Sequence, residues 1–401
     1  VRASSWFHVF RQPGGSVLGL LLLWLGIQIG GFIPLMPMLV SQFGGLDKNQ
    51  ITVFFLINIL TSIAVSFAAG HLSDGQMRRS VLALAAGCLG TAGNFGLTLT
   101  KSAPLLDVLG ALSVCNVVLF SLYFAVAKGE VVRSFSPAEQ VVATTVLRTL
   151  VSLGFVIGTG LSAPLLLLTD VKTIYRVLSA TGLTLTLATF LLFLRFERHP
   201  HAAPAEHGAS LGEGGFSWKT LLVPMTAAAL MNGADRLRLV YLPLVAFDTF
   251  HDAALAPQLF SLAAGLEIIT MAVLGALAAR IGEPRIIFGG ALAGAVSFVL
   301  CAVLPWPSAY YAANVLYSVF AGALQGVTMA YLQHQARGRP GLGSALFLFA
   351  TNVGALTGVV LPLTVPGYQP ALFFLGAALC VGASALLLPA WFRRLTNAPR
   401  V

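Results

Sequence analysis

Gly70–Arg79 reads G-H-L-S-D-G-Q-M-R-R, a short polar turn set between two long apolar runs. About 205 residues later Gly275–Arg285 reads G-A-L-A-A-R-I-G-E-P-R, again opening Gly-x-Leu and again between apolar runs. A unit that returns at this distance predicts one six-helix bundle written twice.

Working outward, the composition fixes the solvent. The 401 residues are 57% hydrophobic and 9% charged, with a mean hydropathy of +0.87. So few polar residues cannot clothe a water-soluble surface, and the chain reads as an all-α integral membrane protein. Apolar stretches of roughly 20 residues recur, each long enough to cross about 30 Å of hydrocarbon at 1.5 Å per residue. The short alternating segments of a transmembrane barrel are not present in the sequence.

The runs predict twelve transmembrane helices, at 16–40, 50–69, 80–100, 104–127, 140–166, 174–194, 218–246, 256–279, 286–304, 308–334, 341–365 and 370–391. Residues 196–217 interrupt them with Pro, Gly, His and Glu and read as a cytoplasmic linker. Domains are therefore expected at 1–195 and 218–401. Residues 1–15 suit a short amphipathic segment at the membrane surface. The first apolar run is too long for the core of a signal peptide and is expected to stay as the first helix.

With both termini cytoplasmic, the inner segments hold sixteen Lys and Arg and the outer loops only Lys48, Lys101, Lys172 and Arg176. That asymmetry orients the protein in the inner cell membrane. The net charge of +9 therefore reports topology, and no nucleic-acid partner is expected because the basic residues form no stripe. Cys88, Cys115, Cys301 and Cys380 all lie in apolar runs without a paired spacing and read as packing residues. His199, His201 and His207 lack accompanying ligands and read as solvated loop residues. No metal and no cofactor are expected.

These features resemble the major facilitator superfamily, and within it the sugar-efflux transporter family. The turn at Gly70–Arg79 is similar to the superfamily's loop between its second and third helices. The resemblance implies a cytoplasmic latch built from Asp74, Arg78 and Arg79, with Gly75 and Met77 departing from the usual pattern. In the second half Ala279 takes the acidic position and Arg280 remains. The narrower match rests on A-G-L-E-I-I-T-M at Ala264–Met271 with A-A-R-I-G at Ala278–Gly282, on L-R-T-L-V-S-L-G-F-V-I-G at Leu147–Gly158, and on Phe54 and Phe55 ahead of Ser73 and Asp74. It implies a fold of two pseudo-symmetric six-helix bundles around a central cavity. Asp235, Arg236 and Arg238 stand where the family carries mostly uncharged residues.

Gly154, Gly158, Gly160 and Pro164 resemble the glycine-rich fifth-helix motif of proton-driven antiporters, which implies a gating role for Gly154 and Gly158. Physically, glycines four apart let two helix backbones approach closely whatever else they do.

Ionisable groups within the membrane are costly, roughly 2.5–3.5 kcal/mol on insertion scales, and mark function. Arg148 falls roughly 12 Å from the inner end of its helix and Glu267 roughly 15 Å from the outer end of its own, so both reach the midplane. They are expected to communicate across the cavity, with Glu267 carrying a proton. Asp235 and Arg238, three apart, share a helix face and can neutralise each other. Gln28, Asn58, Asn116, Tyr123, Asn232, Gln325 and Asn352 add neutral hydrogen-bonding groups of the kind that holds hydroxyl-rich ligands; each alone also fits a helix–helix bridge.

The reading is a monomeric secondary transporter exporting sugars or small glycosides in exchange for protons by alternating access. A multidrug/proton antiporter and a proton-coupled importer are the alternatives of the same class. An intramembrane enzyme is disfavoured because the chain lacks H-E-x-x-H and G-x-S-x-G, and no phosphate-binding loop supplies ATP-driven transport.

Overall fold

A computed structural model of the chain describes residues 8–73, 77–131, 135, 137–198, 218–304, 306–335 and 340–396. Among them the backbone is almost wholly helical: α1 (His8–Arg11), α2 (Gly15–Met38), α3 (Lys48–Ser73), α4 (Arg79–Gly96), α5 (Ala103–Ser113), α6 (Val117–Val126), α7 (Pro137–Leu168) and α8 (Val171–Arg198) precede the linker. After it come α9 (Trp218–Phe250), α10 (Leu255–Ile281), α11 (Glu283–Val303), α12 (Pro307–Gly322), α13 (Met329–Gln335), α14 (Pro340–Val360) and α15 (Phe373–Thr396). Ten helical stretches of the described residues are long and apolar enough to cross a membrane. The α4 and α9 stretches fall outside that set: α4 is short and carries Arg79 and Asn94, and α9 carries Asp235, Arg236 and Arg238.

The chain divides into two compact units, Val1–Ala205 and Glu206–Val401. The linker segment 199–217 lies outside the described residues, whereas 196–198, expected within it, extend α8 to Arg198.

Each unit uses the same set of helix pairings. In the first, α2 packs on α7 and α8, and α4 packs on α5 and α8. In the second, α9 packs on α14 and α15, and α11 packs on α12 and α15. Glycine makes the tightest of these contacts. A Cβ on Gly154 would stand 2.1 Å from the Leu23 carbonyl oxygen and one on Gly158 2.2 Å from that of Ile27; reciprocally, one on Gly26 would stand 2.2 Å from the Val151 oxygen. The second unit repeats the device, with Gly354 and Gly358 placing a Cβ 2.3 and 2.2 Å from the Ala229 and Gly233 oxygens. Small residues at these sites let van der Waals contact between backbones hold the pair where lipid offers no hydrophobic drive.

Two expected helices are interrupted. The run 104–127 breaks into α5 and α6 at a 3-10 turn, Val114–Asn116, and ends in a π-helical segment, Ala127–Val131. Its counterpart in the second unit carries a π-helical segment, Ala323–Thr328, between α12 and α13. Such irregularities re-aim side chains and concentrate at working positions; Asn116 and Gln325 sit on them. Prolines shape other rods. Pro34 and Pro37 precede the π-helical end of α2, Leu39–Phe43, and Pro362 lies in the 3-10 turn that ends α14.

The first unit's core gathers Leu18, Leu22, Leu147, Tyr123 and Phe193. The second is aromatic: Phe298 stacks on Phe373 at 6.3 Å and meets Tyr317 and Phe320 edge-on.

Candidate functional site

In the second unit, one arginine organises three helices. Arg238 is 7% exposed. Its Nη2 donates to Asn314 Oδ1 at 2.7 Å, and Asn314 Nδ2 in turn donates to the Leu259 carbonyl at 2.7 Å. The guanidinium carbon lies 3.7 Å from the centroid of the Tyr317 ring and 4.7 Å from that of Phe260. A guanidinium is planar and weakly hydrated, so two aromatic faces and a fixed acceptor can replace water around it where an ammonium would be left short. The result ties α9, α10 and α12 together at one point.

Acids complete the group. The Tyr317 hydroxyl donates to Asp235 Oδ1. Glu267, half-buried on α10, lies close enough to Asp235 and Arg238 to feel both charges, as Arg236 feels Asp235. Two carboxyl groups and two guanidiniums therefore share the interior of one unit. A cluster of this kind is sensitive to any event that adds or removes one charge, whether a proton or an ion.

In the first unit, a cavity of about 250 Å³ opens between α2, the α5–α6 break and α8, with Phe32, Phe120 and Leu185 among its walls. Gln28 and Asn116 line it. The Gln28 Nε2 donates to Thr181 Oγ1 at 2.7 Å, while among the described residues its Oε1 and the Asn116 Oδ1 are buried without a hydrogen-bond partner.

The remaining expected residues scatter. Tyr123 is fully buried with its hydroxyl bonded to Thr189, a core role. Asn58 and Asn232 turn their amides back to the carbonyls of Phe54 and Ala228, at 2.7 and 2.8 Å. Asn352 is half-buried on α14, and Gln325 is exposed on its π-helical turn. The Arg148 side chain, expected at the midplane, is exposed on α7. Gly154 and Gly158 form the α2–α7 contact described above. Arg280 is exposed in the last turn of α10.

Of the latch residues, Asp74 lies outside the described residues; Arg78 is exposed and Arg79 half-exposed at the start of α4. Beside them stands a contact that the sequence did not disclose. Glu197, at the end of α8, accepts from the Ser80 backbone N–H at 2.8 Å and from its hydroxyl at 2.6 Å, capping α4 with a carboxylate. In the second half, Glu283 pairs instead with His334 at 2.7 Å. Asn314 and Phe260 were also missed. Asn314 carries the same signal as Asn116, an amide in an apolar helix, whereas nothing in the sequence distinguishes Phe260 from its many neighbours.

Comparison with known proteins bears on this arrangement. The profile of the Major Facilitator Superfamily matches residues 17–359. Sugar efflux transporter A of Escherichia coli is 26% identical over 87% of this chain and 89% of its own. A putative sugar efflux transporter of Deinococcus radiodurans is 28% identical over 93% and 96%. Among solved structures, the nucleoside transporter NupG aligns with a TM-score of 0.73 at 13% identity, covering 94% of this chain and 98% of that one. A bacterial homologue of the lysosomal transporter Spinster aligns with a TM-score of 0.70 at 12% identity over the full length of both. With two similarly paired helical units and a family match over residues 17–359, the chain belongs to the Major Facilitator Superfamily.

Proposed function

We propose that this membrane transporter exports sugars or small glycosides by proton-coupled alternating access across the inner cell membrane, with both termini in the cytoplasm. The observation that carries the substrate class is the likeness, along nearly the whole chain, to proteins named as sugar efflux transporters. The observation that carries coupling is Glu267 in the same cluster as Asp235 and Arg238. Moving a guanidinium toward a buried carboxylate expels its proton, and moving it away takes one up. Glu267 is the proton carrier in this reading, Arg238 and Asp235 set its charge environment, and Arg148 contributes to coupling and substrate contact from the first unit. Asp74, Arg78, Arg79 and Arg280 serve as the cytoplasmic latch. The transporter works as a monomer.

Glu267→Gln in liposomes tests it, using radiolabelled methyl hexopyranosides. The variant is expected to lose uptake driven by an imposed pH gradient while retaining counterflow exchange. Failure of both assays makes Glu267 a substrate ligand only. Gradient-driven transport at the wild-type rate removes it from both roles.

A further inference from the structure

We infer that the cavity of the first unit is a subsite for one neutral, hydroxyl-bearing ring, read by a polar floor of Gln28 and Asn116, beside which the missing side chain of Gly182 leaves room. Two oxygens make the floor. Among the described residues, Gln28 Oε1 and Asn116 Oδ1 are buried without a hydrogen-bond partner, as is Thr91 Oγ1 outside the cavity lining. A Cβ placed on Gly182 would stand 3.5 Å from both Gln28 Oε1 and Thr91 Oγ1, so the glycine faces the gap between them.

The orientation of the Gln28 amide follows from its neighbour. The Thr181 hydroxyl points its proton at the α8 carbonyls of Val177 and Leu178, 3.1 and 3.0 Å away. Its oxygen is left to accept, which it does from Gln28 Nε2 at 2.7 Å. That fixes Nε2 toward α8 and leaves Oε1 as a bare acceptor. Gln28 is only 5% exposed, and a buried acceptor without a donor favours whatever brings one.

The rest of the cavity narrows the ligand. Among the described residues no ionised side chain lines it, so none of them compensates a cation or an anion there. Its walls are apolar and include Phe32 and Phe120, suited to the C–H face of a ring. A volume of about 250 Å³ lies below the roughly 300–1,000 Å³ of sites for drug-sized ligands. The chemistry that fits is a single pyranose-sized ring donating hydroxyl protons to the floor. This inference deepens the sugar-export reading and rests on it.

The purified full chain in detergent tests it by calorimetry with methyl β-glucopyranoside, its monodeoxy derivatives, and tetraphenylphosphonium as a cationic comparator. Gly182→Ala makes only ordinary contacts and is expected to keep the unliganded melting temperature. It is expected to weaken binding of the glucoside by about tenfold or more, as is Gln28→Met. At least one deoxy derivative should bind the wild type weakly yet lose nothing further in Gln28→Met, because the same hydrogen bond is then already absent. If the wild type and both variants bind the glucoside equally, the subsite is wrong while sugar export stands. Independent, additive losses from deoxygenation and mutation overturn it too, leaving a hydrated cavity. If the wild type binds tetraphenylphosphonium and no glucoside, the sugar reading falls and takes the subsite with it.

Discussion

Arg238 lies against the face of Tyr317, its guanidinium carbon 3.7 Å from the ring centroid, while the hydroxyl of the same ring donates to Asp235. One tyrosine on α12 thus binds a cation through its π face and an anion through its edge, holding two charges of α9 in place. Because Arg238 is removed from water, its neighbours have to supply what hydration would.

Tyr317→Phe preserves the face and removes the donor. It is expected to cost about 1–3 kcal/mol by stripping Asp235 of a hydrogen bond. Tyr317→Leu loses the face as well and should cost about 0.5–2 kcal/mol more. Thermal unfolding of the purified variants checks the order wild type, Phe, Leu. Equal midpoints for wild type and the Phe variant would show that Asp235 does not depend on that hydroxyl.

The glycine contacts predict matched sensitivity in the two units. Gly158→Ala and Gly358→Ala each drive a methyl to within 2.2 Å of a facing carbonyl oxygen, of Ile27 and Gly233 respectively. Each is expected to destabilise by about 1–3 kcal/mol or more through forced backbone separation. Gly289→Ala, whose Cβ meets nothing within 4 Å, should be neutral or stabilise α11 by about 0.5–1 kcal/mol. Detergent-solubilised yield and melting temperature distinguish the two classes.

Glu197 anchors the start of α4 through Ser80, at 2.8 and 2.6 Å. Glu197→Gln removes the negative charge from a helix N-terminus and is expected to cost about 0.5–2 kcal/mol. The effect should be local. Hydrogen exchange at Ser80 to Ala83 is expected to quicken while α2 and α7 keep their protection; unchanged exchange there would show that the cap contributes nothing.

The charge asymmetry of the loops predicts topology. In a background without the four native cysteines, a cysteine at Ser210 should resist an impermeant thiol reagent in intact cells and react once they are opened. A cysteine at Thr249 should react in intact cells. The reverse pattern would invert the protein in its membrane.

The sequence by itself determined the solvent, the helical class, the repeat and the close-packing glycines. These follow from local quantities: the length of an apolar run against the thickness of a bilayer, and a glycine spacing that puts bare backbone on one face. It also singled out Asp235, Arg238 and Glu267, because an ionisable residue in an apolar run stands out without any knowledge of its neighbours. Only the tertiary structure decided what those charges touch. Arg238 pairs with Asn314 and two aromatic rings from helices distant in the chain, Glu267 shares their cluster, and the Arg148 side chain is exposed on α7. The same holds for the amides, which among the described residues divide between closed bonds to their own helix at Asn58 and Asn232 and buried, unpaired acceptors at Gln28 and Asn116. Depth in a membrane is fixed by position along one helix, whereas partnership depends on the rotation of several helices about their axes. A rotation of one residue's worth, about 100°, carries a side chain from a cavity to lipid without altering the hydropathy of the run.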